Sequence, residues 1–156
     1  MNRKRGPRGS DAGKQVRGRK RHLPVDPLGL VRAVVVHPAD VQDRDGAKLV
    51  PEPLRRRSSR LRLIVADASY NGGIAAGVRS PRARNKLRRE IVSKRPGATG
   101  FEPLRSRWRV ERTFAWRGRW RRLSKDHEAT TTSSEAFIKL AMIHLMARRL
   151  GKRLAS

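Results

Sequence analysis

The sequence predicts an α/β fold, and three observations carry that prediction. Residues Val31 to Val36 are nearly all apolar and β-branched, which marks a buried strand. Leu61, Leu63, Ile64 and Val65 repeat that character and make a second buried strand. Downstream, 133–150 is a strongly amphipathic helix, so a hairpin comes first and β and α then alternate, the order of a sheet with helices on its faces. At 156 residues and 37% apolar content the chain forms one domain with a real core.

Taken in order, residues 1–21 are basic and glycine-bearing and lack apolar periodicity, so they read as a basic arm or a poorly formed strand. Residues 22–38 read as a β-hairpin around the turn cluster Asp26-Pro27-Leu28-Gly29. From Asp40 to Ser59 the pattern is helical, with Asp43 or Asp45 as cap and Leu49 and Leu54 facing the core. Pro51 and Pro53 predict a break or two short pieces, because an internal proline costs about 3 kcal/mol. After the strand ending at Asp67, Tyr70-Asn71-Gly72-Gly73 opens a turn. Residues 74–89 are arginine-rich with a weak helical pattern, and Glu90 to Lys94 form a short strand that Pro96-Gly97 ends. A loop leads into one long helix over 107–125. In the last helix Ser133 or Ser134 is the expected cap, and Phe137, Leu140, Ala141, His144 and Leu145 are the expected buried face. Residues 22–150 therefore form the folded domain, and 151–156 a basic tail.

Charge sets the partner. Lys and Arg number 39 against 13 Asp and Glu, a formal net charge of +26. Such a chain repels itself and seeks a polyanion, and nucleic acid releases condensed counterions when its phosphates are neutralised. Of the cations 30 are arginine, whose guanidinium forks onto phosphate. Codon usage that favours arginine accounts equally for that ratio, though not for the net charge. The absence of cysteine excludes disulfides, thiolate metal sites and thiol nucleophiles. Neither a secretory signal nor an apolar run of membrane-spanning length is present, so the expected location is the cytoplasm, at the nucleoid.

Two carboxylates stand out. Asp67 directly follows a strand, where open α/β sheets bind ligands; the plain alternative is a helix cap. Glu111 lies on the 107–125 helix among Arg107, Arg109, Arg112, Arg119 and Arg122. Either it pairs with Arg107 at the surface, worth about 0.3–0.5 kcal/mol, or it holds a hard divalent ion beside phosphate-binding arginines. Trp108, Phe114, Trp116 and Trp120 either stack on bases or form that helix's core face, and core packing is preferred for most of them. His144 reads as a core residue.

The strings GPRGSDAGKQVRGRKRHLPVDPLGL, AVVVHPADVQDRDGAKL, LRLIVADASYNG, RWRVERTFAW, RRLSKDHE and SSEAFIKLAMIHLMARRL occur in that order. Together they resemble the C-terminal part of a bacterial insertion-sequence transposase of the Asp-Asp-Glu (DDE) type. The catalytic domain is similar to the insertion-sequence-four-like kind, in the group conventionally numbered five. The likeness runs from about Gly6 to Leu150 and is weakest over 74–90. It implies a ribonuclease-H-like mixed sheet with flanking helices, here lacking its first strand. It implies that Asp67 is the second catalytic acid and Glu111 the third, both ligating Mg²⁺ or Mn²⁺, with two ions in the complete enzyme. Arg107 matches the arginine that the family places upstream of its glutamate. Arg19, Lys20, Arg21, Arg107, Arg112, Arg119, Arg122 and Lys125 are the expected DNA contacts. The activity implied is cleavage of phosphodiester bonds at element ends and joining of the freed 3′-hydroxyl to target DNA, in a homo-oligomer.

The sequence also departs from the family pattern. The first acid belongs on a strand just before the GPRGSDAGK segment, and only NRKR lies there; Asp11 and Asp26 do not replace it. A tyrosine of some relatives is Leu104 here, and a basic position is Gly118, with Arg117, Arg119, Arg122 and Lys125 nearby. The expectation is a fragment of a split or frameshifted transposase, inactive until an upstream segment completes it. The alternatives are a non-catalytic basic nucleic-acid-binding protein and a decayed relic.

Overall fold

A computed structural model of the chain describes residues 6–57, 61–72, 88–93, 97 and 107–155, with the side chains at 55–57, 89, 107 and 117 excepted. The stretch 74–87 of the arginine-rich segment, the 98–106 loop with Leu104, and Lys94 lie outside the described residues.

The basic segment expected to be an arm builds strands instead. Strand β1 (Gly9–Asp11) pairs antiparallel with β2 (Val16–His22), and β2 pairs antiparallel with β3 (Val35–Pro38). The register sets Lys20 opposite His37 and His22 opposite Val35. Strand β2 lacks an apolar face because both of its faces bury paired polar groups. On one side Arg19 and Arg21 reach Asp126; on the other Lys20 pairs with Asp11 at 2.8 Å and with Asp43 at 3.4 Å. That pairing, with a backbone hydrogen bond from Lys14, holds the Asp11 carboxyl below its usual range. The hairpin is thus longer than predicted, but its turn is as expected. Asp26 Oδ1 accepts from the N–H groups of Leu28 and Leu30, and Gly29 supplies a positive φ of 77°.

The broken helix also forms as expected: α1 (Asp43–Gly46), a 3-10 turn (Ala47–Leu49) and α2 (Pro51–Arg57). Leu54 is buried, whereas Leu49 is exposed. Strand β4 (Leu63–Asp67) runs into a 3-10 turn (Ala68–Tyr70) and pairs parallel with β5 (Arg88–Val92). Its predicted burial fails: Leu63 is 44% and Val65 38% exposed on one face of a sheet that, among the described residues, has two strands. Helix α3 (Arg107–Gly118) ends where Gly118 weakens helix propensity, and Trp120 turns extended before α4 (Arg121–Ser124), so the single long helix is two.

Helix α5 (Thr131–Leu154) starts earlier than predicted, since Thr130 Oγ1 accepts from the Ser133 N–H at 3.0 Å. Its buried residues are Ser134, Ile138, Ala141 and Met142; Leu140 is 57% exposed and His144 is exposed as well. The face is rotated because Glu135 accepts from the Val36 N–H at 3.1 Å and anchors the helix on β3. The core joins Leu23, Val34 and Val36 to Leu123, Ile138 and Ala141, with Val31 and Phe137 packed against it.

Gly46 in α1 lies directly over His22 and His37, and a Cβ there would collide with Nε2 of both rings. Gly46→Ala should therefore lower stability by about 1–3 kcal/mol, the range for overpacking a filled interior. Urea unfolding checks this, and an unchanged midpoint refutes it.

Candidate active site and nucleic-acid surface

Asp67 ends β4 with extended backbone (φ −79°, ψ 174°) and caps the turn that follows. Its Oδ1 accepts from the Ser69 N–H at 2.9 Å. The capping reading is therefore realised, and it also fixes the carboxylate's direction at the exposed carboxyl edge of the β4–β5 pair. Glu111 is exposed on the first half of α3. The main packing neighbours of the two acids differ. Strand β4 packs on β5 and on its own 3-10 turn, whereas α3 packs on α4 and on the hairpin turn. The buried Thr113 hydroxyl makes that second link, bonding the Gly29 carbonyl at 2.7 Å.

The tryptophans of α3 fit neither simple reading. Trp108 is 51% exposed, and Arg112 lies between it and Trp116, 4.3 Å and 4.8 Å from the two ring centroids. The spacing i−4, i, i+4 on one helix face produces this stack. Arg149 of α5 covers Trp116 at 4.3 Å, and His144 meets the edge of Trp120 at 4.8 Å. Arg112 also donates to the Leu28 carbonyl at 3.1 Å, so it is a packing residue as much as a cation.

The expected DNA contacts divide into two groups. Arg19 has no exposed side-chain surface, and its guanidinium donates to the carbonyls of Gly6, Pro7, Glu128, Ala129 and Thr130 and to Asp126. That donor set is spent inside the protein, so the expectation of a phosphate contact from Arg19 gives way to a structural role. Arg21 is 11% exposed and donates to the Leu123 carbonyl, and Lys20 is held by Asp11, Asp43 and the Val41 carbonyl. Arg122 pairs with the buried Glu128 at 2.8 Å yet remains largely exposed, and Arg119 and Lys125 are exposed. For Arg107 only the backbone, in α3, is described.

Sequence reasoning missed two further cations. Arg8 and Arg17 are exposed and line a groove with Lys125 and Phe114. It also missed His22, His37 and Tyr70, which meet in the interior. The pairing register could have joined the two histidines, but no short motif marks them.

Metal fit is mixed. Two carboxylates supply the hard oxygen donors that Mg²⁺ or Mn²⁺ prefers. Among the described residues, however, no group of three His, Cys, Asp or Glu side chains converges to hold an ion. No helix among the described residues is long and apolar enough to cross a membrane.

These features define a basic, mixed α/β domain with an acid at a sheet edge and exposed cations along a groove. The family model described as the transposase DDE domain matches residues 2–146, and the chain belongs to that family. No curated protein and no solved structure matches it. Members of the family generally use divalent metal ions, and membership points to DNA transposition.

Proposed function

We propose that the chain is the ribonuclease-H-like catalytic domain of an insertion-sequence transposase, of the insertion-sequence-four-like type in the group numbered five. Asp67 and Glu111 are its second and third catalytic acids, and its partner is a transposase segment that bears the first. The observation that carries this reading is the family match across 2–146 combined with Asp67 at the exposed end of β4. When bound, two divalent ions stabilise the attacking and leaving oxygens of the phosphodiester. The chain's own residues then divide the remaining work. Asp67 and Glu111 are the ligands this domain offers, Lys125, Arg8 and Arg17 neutralise DNA phosphates along the groove, and the exposed Arg119 adds a further cation. The complete enzyme acts as a homo-oligomer at element ends. The deciding experiment joins this chain to an acid-bearing upstream segment and assays nicking of element-end DNA with Mg²⁺. Nicking supports the reading, and none from a folded, DNA-bound protein overturns it.

The groove makes its own prediction. Arg17→Ala with Lys125→Ala should reduce the slope of log affinity against log salt by about two, roughly 0.9 per lost phosphate contact. Fluorescence anisotropy over a salt series measures it, and an unchanged slope removes both residues from the interface.

A further inference from the structure

His22 and His37 are buried side by side, 3% and 5% exposed, although neither has a place in the chemistry above. Three contacts link them into a line. Tyr70 Oη lies 2.8 Å from His22 Nδ1, His22 Nε2 lies 2.5 Å from His37 Nε2, and His37 Nδ1 lies 2.8 Å from the Pro38 carbonyl oxygen. The ring centroids are 4.7 Å apart with planes at 24°, so the imidazoles meet edge to edge and nearly coplanar.

One proton assignment satisfies every contact with neutral rings. A carbonyl only accepts, so His37 Nδ1 carries hydrogen and His37 Nε2 is an acceptor. His22 Nε2–H then donates to it, which leaves His22 Nδ1 to accept from the Tyr70 hydroxyl. Burial favours this uncharged state by pushing His22 down to about 4 and the Tyr70 hydroxyl up.

Tyr70 closes the 3-10 turn that Asp67 caps, and that turn packs on α1 and β5. We propose that Tyr70, His22 and His37 form a one-way hydrogen-bonded relay that ties this turn to the β2–β3 hairpin and so positions the Asp67 carboxylate. The inference rests on reading Asp67 as an active-site acid. The three are positioning residues. The relay joins the two sheets through side chains at the place where the acid's direction is set, and Gly46 is the residue that lets α1 close over the pair.

The test uses the full chain with labelled histidines and Asp67. In wild type, long-range ¹H–¹⁵N spectra should show His22 protonated on Nε2 and His37 on Nδ1. Tyr70→Phe keeps the ring packing and removes one hydrogen bond. It should release the His22 tautomer, speed exchange of the Ser69 amide on the order of five- to tenfold, and raise by a similar factor the Mn²⁺ needed to broaden the Asp67 carboxyl signal. Exchange at Ile138, buried within α5, should stay unchanged, which separates local loosening from global loss. Asp67→Asn should speed Ser69 exchange while leaving the histidine tautomers intact. Unchanged Ser69 exchange in Tyr70→Phe, or His22 protonated on Nδ1 in wild type, overturns the relay. Failure of Mn²⁺ to broaden Asp67 in wild type instead overturns the acid assignment, and Ser69 exchange still decides the relay.

Discussion

Arg19→Met should destabilise the domain by about 3–5 kcal/mol, the cost of breaking a buried charge pair while its partners stay buried. The loss has two sources. Asp126 keeps a weak contact to Arg21 at 3.9 Å and bonds from Ser134 Oγ and the Glu128 N–H, but loses its nearer guanidinium. The carbonyls of Pro7, Glu128, Ala129 and Thr130 lose a common donor. Stranding buried acceptors costs about 1–3 kcal/mol each where water cannot replace the donor. Arg19→Lys should recover part of the loss, since an ammonium keeps the charge but has three donors on one atom and no planar fork. Typical domains hold only about 5–15 kcal/mol, so the methionine variant should melt well below wild type. Equilibrium urea unfolding measures the difference, and a change within about 0.5 kcal/mol would place Arg19 among ordinary surface residues.

The second large effect concerns activity. In the completed protein, Asp67→Asn or Glu111→Gln should lower Mg²⁺-dependent nicking by at least about a thousandfold. Each change removes a negative ligand from a site whose ions supply several kcal/mol of charge stabilisation, and each 1.36 kcal/mol is tenfold in rate. DNA affinity should stay within about twofold, because affinity is set by cations on phosphate. Comparing single-turnover nicking with anisotropy on the same preparations tests both halves. Nicking that survives either substitution would show that other side chains hold the ions.

Where local chemistry decides, the sequence was readable. Asp26 and Gly29 specify a turn by side-chain capping and a positive φ, and that turn is present. Pro51 and Pro53 foretell a broken helix, and it is broken. Asp67 lies at a strand end, as its apolar approach and the glycines after it imply. Where distant partners decide, periodicity misleads. Strand β2 reads as an arm because Arg19, Lys20 and Arg21 are charged, yet each charge is met by Asp126, Asp11 or Asp43. The same residues then look like DNA contacts, since a sequence does not reveal that a guanidinium is surrounded by carbonyls. Helix α5 offers two apolar faces, and the contact between Glu135 and β3 selects the one containing Ile138 and Ala141. The His22–His37 pair needed the strand register before it became visible.

The bond from the Gly6 amide to the Ala129 carbonyl, together with the Arg19 contacts, fastens the opening strands to the segment just ahead of the last helix. During synthesis those strands emerge more than a hundred residues ahead of their partners, as at Thr130. Closure over such a separation is slow, and unpaired strand edges remain exposed meanwhile. A nascent chain stalled before residue 130 would thus present its basic strands unfastened, open to chaperones or to another copy.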